Sequence, residues 1–251
     1  MGIELLGIGL FVGVISGFFG VGGGMLLVPM LMAIGFDIKS AIAASVVQMV
    51  FSSVFGSYLN YRKGKLQLNE GVWVGVGGLI GGLFGAMMTD ILSHDTLEYI
   101  FVGLIVFAII RLMTSKSAEG TKEGSLSPAV LFIVGLAIGV IAMMLGVGGS
   151  VMLTPILVGF LHFPSKKAAT AGLFFVVFSS ISGLGYKLYS GTFSNLSLDM
   201  SVVLSIATAA LVGVAIGLLL KDRVKDNHHK IYLLILYFVI LAMLIREMFV
   251  G

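Results

Sequence analysis

The chain has 251 residues, enough for one or two soluble domains, yet 58% are apolar with glycine left out and only 11% are charged. A soluble domain reaches about 45–50% apolar with glycine included, and about a quarter of it is charged. A soluble enzyme, a nucleic-acid binder and a disordered chain are therefore excluded. The formal net charge of +3 describes loop charges at a membrane face rather than a phosphate-binding patch. With no cysteine, disulfides, thiolate metal sites and cysteine nucleophiles drop out together.

A hydrocarbon core about 30 Å thick takes about 20 helical residues, so about eight spans would use about 160 residues and leave short loops. Apolar stretches run over 3–19, 25–35, 40–60, 71–91, 97–114, 128–145, 150–161, 168–186, 198–220 and 230–249. The first has no basic stretch before it and no small-x-small cleavage site after it, and it reads as a retained helix rather than a signal peptide. The most polar break, Ser115–Ser125, falls near the middle. It divides the chain into a first transmembrane repeat over 1–114, a cytoplasmic linker over 115–127 and a second repeat over 128–251.

The two halves resemble each other. Residues 13–31 (GVISGFFGVGGGMLLVPML) lie over 139–157 (GVIAMMLGVGGSVMLTPIL) without a gap, and ten of the nineteen positions are identical. One residue of slippage later, Lys39 matches Lys166, Phe51-Ser52-Ser53 matches Phe178-Ser179-Ser180, and Gly56 matches Gly183. Charge decides the relative orientation, because cytoplasmic loops collect Lys and Arg. If 3–34 crosses once, the fifteen basic residues split eight against seven. If 3–34 and 129–161 are hairpins that enter and leave on one face, the split is twelve against three, with only Lys39, Lys187 and Arg246 on the poorer side. The expected fold is all-α and polytopic: two inverted repeats, each a broken-helix re-entrant hairpin plus three transmembrane helices. The termini are then outside and the linker is cytoplasmic.

The hairpin tips carry Gly20, Gly22, Gly23 and Gly24 in the first half, and Gly146, Gly148, Gly149 and Ser150 in the second. Glycine permits positive φ and close backbone approach. Each run immediately precedes a helical leg, whose free N–H groups and dipole would favour an anion. Pro29 and Pro155 follow as expected helix-break residues. Two tips meeting from opposite faces would form a two-sided cradle for a substrate's negative charge. Small-residue helix packing is the competing reading. A nucleotide P-loop is excluded, since no Gly-Lys-Ser/Thr follows.

Ser45, Gln48 and Ser52 share one helix face, and Ser53, Ser179 and Ser180 add hydroxyls. In a substrate site these groups would donate to substrate oxygens; otherwise they bond between helices or back to their own helix. Lys39 and Lys166 would stand at the two mouths and attract anions, or simply be solvated helix-end charges. Asp90 aligns with Asp222, and both are expected to face water. His94, His162, His228 and His229 are scattered in loops without metal-ligand spacing, so neither a metal nor a cofactor is expected. Trp73, Tyr58, Tyr99 and Tyr186 read as interfacial anchors. No carboxylate or lysine sits in mid-span, which disfavours a cation pump and suits a substrate that brings its own charge.

The doubled Gly-x-Gly-Gly-Gly/Ser-x-x-x-x-Pro-x-Leu, with the Lys-x-Ala helix after it, resembles the sulfite exporter TauE/SafE-like permease family over essentially the whole chain. The resemblance implies a multi-pass cell-membrane permease for small sulfur-containing anions such as sulfite, sulfonates or sulfoacetate; no enzyme is expected, because the sequence offers no nucleophile–base or metal constellation. Its functional residues would fall on Gly20, Gly22, Gly23, Gly24 and Pro29, and on Gly146, Gly148, Gly149, Ser150 and Pro155. Many relatives carry Gly-Thr-Ser after the Lys-x-Ala stretch, where this chain has Ala44-Ser45 and Ala171-Gly172. The expected partners are the lipid bilayer and a small anionic substrate, with no nucleic acid. An alternating-access carrier, a passive anion channel and a non-transporting membrane subunit all remain open at this point.

Overall fold

The computed structural model describes residues 2–65, 68–114, 127–159, 165–195 and 200–250. Among the described residues ten α-helices follow one another: α1 Gly2–Phe19, α2 Gly24–Ala33, α3 Ile38–Arg62, α4 Leu68–Ile91, α5 His94–Thr114, α6 Pro128–Met144, α7 Ser150–Gly159, α8 Ser165–Tyr189, α9 Met200–Arg223 and α10 Asp226–Val250. Linker residues 115–126 lie outside the described residues. Six helices among the described residues (α3, α4, α5, α8, α9 and α10) are long and apolar enough to cross a membrane. The legs of the two hairpins, α1 with α2 and α6 with α7, make up the rest.

Glycine stripes fix the helix directions. A Cβ placed on Gly9, Gly13 or Gly17 would run into the backbone at Ile206, Ala210 and Val214 in turn, so α1 lies parallel to α9 at backbone contact. Gly77, Gly81 and Gly85 meet Phe132, Leu136 and Val140 in the same manner, so α4 is parallel to α6. Such close approach is how helices associate in lipid, where no hydrophobic force separates a helix face from the acyl chains. In contrast, Gly56 packs on Leu173 while Gly183 packs on Val46, so α3 and α8 are antiparallel.

These directions determine the topology. Gly56 lies against Val214 and Lys63 against Asp222, so α3 runs parallel to α9 and therefore to α1. The chain leaves α1 and begins α3 in the same direction, so α2 must carry it back to the face it came from. The α1–α2 hairpin is thus re-entrant, and α6–α7 is its counterpart. Every major packing pair has a partner: α1 on α9 mirrors α6 on α4, α3 on α9 mirrors α8 on α4, and α2 on α10 mirrors α7 on α5. With α3 and α8 antiparallel at the centre, the axis relating the halves lies across the helices. The halves are inverted.

α3 opens with a capping interaction: Asp37, in extended conformation, accepts from the Ser40 backbone N–H at 3.0 Å. Burial raises the carboxyl pKa, but the hydrogen bonds from Ser40, the nearby His94 and the Lys39 backbone N–H together outweigh it and hold Asp37 below the ordinary carboxylate value. The break between α1 and α2 is made by glycine, with φ of 71° at Gly20, 77° at Gly22 and 87° at Gly23. The expectation that the prolines break the helices is corrected here. Pro29 sits inside α2, which continues to Ala33, and residue 155 falls within α7. Pro29, the sixth residue of α2, costs the helix a single bond, the one to the Met25 carbonyl, whereas left-handed backbone ends a helix outright.

Candidate functional site

The tips meet in the interior. Gly20 through Val28 are all buried, as are Met144 through Val151. α2 begins at Gly24 beside Ser45 and Gly146, and α7 begins at Ser150 beside Gly172. Gln48 is the eleventh residue of α3, about 15 Å along a helix that measures about 37 Å. The half-helix N-termini thus converge near the middle of the spanning helices.

Two side chains fill the space between the loops. A Cβ on Gly22 would lie 3.0 Å from Val176 Cγ1 and 3.6 Å from Met49 Sδ, and one on Gly148 would lie 2.9 Å from the same Sδ. Met49 and Val176 occupy equivalent positions in α3 and α8. Met49 and Val176 thus stand between the two loops.

The flanking positions break the symmetry. Gln48 stands against Gly23, where an added Cβ would meet its Nε2 at 2.6 Å, and the equivalent Phe175 stands against Gly149. The Gln48 amide is fully buried; its Nε2 donates to Ser52 Oγ at 3.0 Å, and its Oε1 has no partner among the described residues. Ser52 Oγ lies 2.8 Å from the Gln48 carbonyl oxygen and 3.1 Å from that of Gly22, so it ties α3 to the first tip. Turning the amide over would let Ser52 donate to Oε1 and free Nε2 as a donor.

Ser45 donates to the carbonyl of Gly146 and so joins α3 of one half to the tip of the other. Its equivalent is Gly172, which packs against the Ser150 Cβ, while Ser45 packs against Gly24. Each crossing of a spanning helix with a half-helix therefore holds one serine and one glycine, with the roles exchanged between halves. Ser150 Oγ is buried and makes no hydrogen bond among the described residues, and the same is true of Thr154 Oγ1 one turn on.

At the start of α2, the backbone N–H groups of Val21, Gly22, Gly23, Gly24 and Met25 find no protein acceptor among the described residues; Leu26 and Leu27 are the first to donate, both to Gly23. At the start of α7 the N–H groups of Gly148, Gly149 and Ser150 stand likewise, and Val151 is the first to donate. Buried donors of this kind are costly unless something accepts from them. Together with the helix dipoles they make the centre electropositive without a charged side chain.

Other expected site residues are placed differently. Ser53, Ser179 and Ser180 return their hydroxyls to carbonyls three or four residues back on their own helices. Lys39 donates to the Asp90 backbone carbonyl at 3.1 Å, tying the start of α3 to the end of α4. The side chains of Pro155 and Lys166 lie outside the described residues. His94 opens α5, His228 and His229 lie in the first turn of α10, and His162 lies outside the described residues. His229 is buried, with Nε2 2.9 Å from the Phe18 carbonyl oxygen at the end of α1, which corrects the expectation of a loop histidine. Among the described residues no cluster of His, Asp or Glu is placed to hold a metal.

The largest omission is Lys187. It reads as the start of a polar loop but lies within α8, fully buried, 4.0 Å from Asp90 Oδ1. Asn60, its equivalent in α3, is buried as well. Their position at the end of an apolar run gave no sign of burial, because it is the neighbouring helices that cover them.

Three relatives show similarity in sequence. The chain is 31% identical over 144 residues to the probable membrane transporter protein YdhB of Bacillus subtilis, an alignment spanning 55% of this chain and 59% of that protein. It is 23% identical over 243 residues to the probable membrane transporter protein MJ0441 of Methanocaldococcus jannaschii, covering 91% of this chain and 90% of the relative. A third, the probable membrane transporter protein YunE of B. subtilis, is 22% identical over 221 residues, covering 75% and 79%. The family model described as sulfite exporter TauE/SafE matches residues 5–244. With paired re-entrant hairpins and that match over nearly its whole length, the chain belongs to the sulfite exporter TauE/SafE family of membrane transporters.

Proposed function

We propose that this protein is a permease for small sulfur-containing anions such as sulfite or a sulfonate, working by alternating access, with the anion held between the two glycine tips. The observation that carries the reading is the convergence of two half-helix N-termini, Gly24 and Ser150, in a buried centre, with leading N–H groups that find no acceptor among the described residues. Such a centre suits a compact anion whose oxygens accept several hydrogen bonds at once. The Gln48 amide, the Ser45 and Ser52 hydroxyls of α3 and the Ser150 hydroxyl would add directed donors. Residues 1–114 and 128–251 are the two bodies that rock about the site.

The packing of Met49 and Val176 between the tips favours a carrier over an open pore, since both would have to move before an anion passed from one tip to the other. The one-sided distribution of Lys and Arg supports external termini and a cytoplasmic linker in the plasma membrane. Labelling that finds the N-terminus and the Lys116–Glu123 segment on the same side would overturn this orientation.

The test is a thermal-shift screen of the purified protein against sulfite, sulfoacetate, other sulfonates, sulfate and chloride, followed by flux in liposomes. A ligand that binds the folded state raises the melting temperature by mass action. Saturable sulfite or sulfonate flux with counterflow is the expected result. Single-channel currents would assign a passive pore instead, and no shift with any anion would leave a non-transporting membrane subunit.

A further inference from the structure

We infer that two ion-pair latches, Asp222 with Lys63 and Lys65 at one membrane face and Asp90 with Lys187 at the other, are the gates that open alternately. The inference rests on the alternating-access reading above and adds to it the residues that hold each face shut.

The aspartates of the two latches are equivalents under the internal symmetry, while the lysines are not, Lys187 corresponding to Asn60. Asp222 ends α9 as Asp90 ends α4, and the two aspartates align between the repeats. Lys63 Nζ lies 3.0 Å from Asp222 Oδ2, and Lys65 pairs with the other carboxylate oxygen. Both lysines follow directly on α3, so this latch ties α3 of the first half to α9 of the second. At the opposite face Lys187 of α8 lies 4.0 Å from Asp90 Oδ1 of α4, so the second latch ties the second half to the first. Each latch therefore bridges the repeats, and the latches lie at opposite ends of the antiparallel α3–α8 pair. A rocking motion that separates the repeats at one face must break the latch there and can leave the other intact.

The surroundings suit a gate. Lys187 is fully buried, and its ammonium has no hydrogen-bond acceptor among the described residues. Tyr186 and Lys39 also attend Asp90, through its carboxylate and its backbone carbonyl respectively. A buried ammonium with a carboxylate at 4.0 Å and no hydrogen-bond acceptor among the described residues recovers little of its desolvation cost, and opening the face would return it to water. At the other face the pairing is direct and the groups are half-exposed, so the two latches are unequally tight.

The absence of cysteine from this chain allows a clean test by single-cysteine accessibility in proteoliposomes. Ser57→Cys reports the α3-end face and Thr89→Cys the α3-start face, since both positions are buried in the closed form. With a membrane-impermeant maleimide, Asp222→Asn is expected to speed labelling at position 57 at least threefold and slow it at 89. Asp90→Asn and Lys187→Met should each do the reverse. If Asp222→Asn does not fold, Asp222→Lys with Lys63→Asp and Lys65→Asp restores opposite charges; wild-type labelling at both reporters is then expected. Reporters that rise together, or that do not respond, overturn the proposal. The readout needs no substrate. Reporters that shift as expected in a protein that neither binds nor carries sulfite or a sulfonate would therefore sink the anion reading alone, while sulfite flux with unmoved reporters would sink the latches alone.

Discussion

Gln48 and Phe175 occupy the same place in the two halves, each pressed against the third glycine of its tip, Gly23 and Gly149. A site built from equivalent elements thus presents an amide on one side and a phenyl ring on the other. In the proposed site the amide would supply direction for hydrogen bonding, and the ring would exclude water.

Replacement of the amide separates binding from folding. Gln48→Leu removes a buried oxygen that has no partner among the described residues, so the melting temperature should hold or rise. Binding of the transported anion should weaken about tenfold, the cost of one lost hydrogen bond to a charged group, about 1.5 kcal/mol. Flux and thermal shift measured on the same variant check both arms.

The tips tolerate no added carbon. In Gly149→Ala the new Cβ would overlap the Phe175 ring, which belongs to the packed core, and destabilisation of about 3 kcal/mol is expected. Gly149→Ala with Phe175→Leu should recover some of it. Gly23→Ala is strained for a different reason: its φ of 87° costs a side chain about 1–2 kcal/mol even if Gln48 swings away. Leucine at either position should abolish sulfite flux; undiminished flux in folded protein would refute the tip site.

The serines should divide into two classes. Ser45→Ala breaks the bond to Gly146 that joins the halves and leaves a buried carbonyl, at a cost of about 1–2 kcal/mol. Ser53→Ala, Ser179→Ala and Ser180→Ala lose only hydroxyls that bond their own helix, and should stay within about 0.5 kcal/mol of wild type. Denaturation in detergent compares the four.

The cap of α3 gives a pH signature. The Asp37 carboxyl titrates below its ordinary value, so its stabilisation is present above the unfolded pKa of about 3.9 and is lost as pH falls through the folded value. Asp37→Ala should cost about 1 kcal/mol at pH 7, and the gap to wild type should close under acid. Asp37→Asn should keep most of the cap and remove the pH dependence. Melting curves between pH 7 and pH 3 are the measurement.

The sequence alone determined the class, the repeat and the hairpins. Apolar length identifies spans because lipid cannot hydrogen-bond the backbone. Ten identities in nineteen, together with the one-sided charge count, point to inverted hairpins, and the glycine runs mark where the helices break. Only the tertiary structure decided which faces meet. In a soluble helix the polar side announces the solvent, but here lipid and core are both apolar, so periodicity does not tell them apart. Hence Ser45 reaching Gly146 and Ser179 turning back to its own helix look alike as residues, and Lys187 looks like a loop charge. What distinguishes them is the neighbour each one meets across the fold, and those neighbours lie roughly a hundred residues away along the chain.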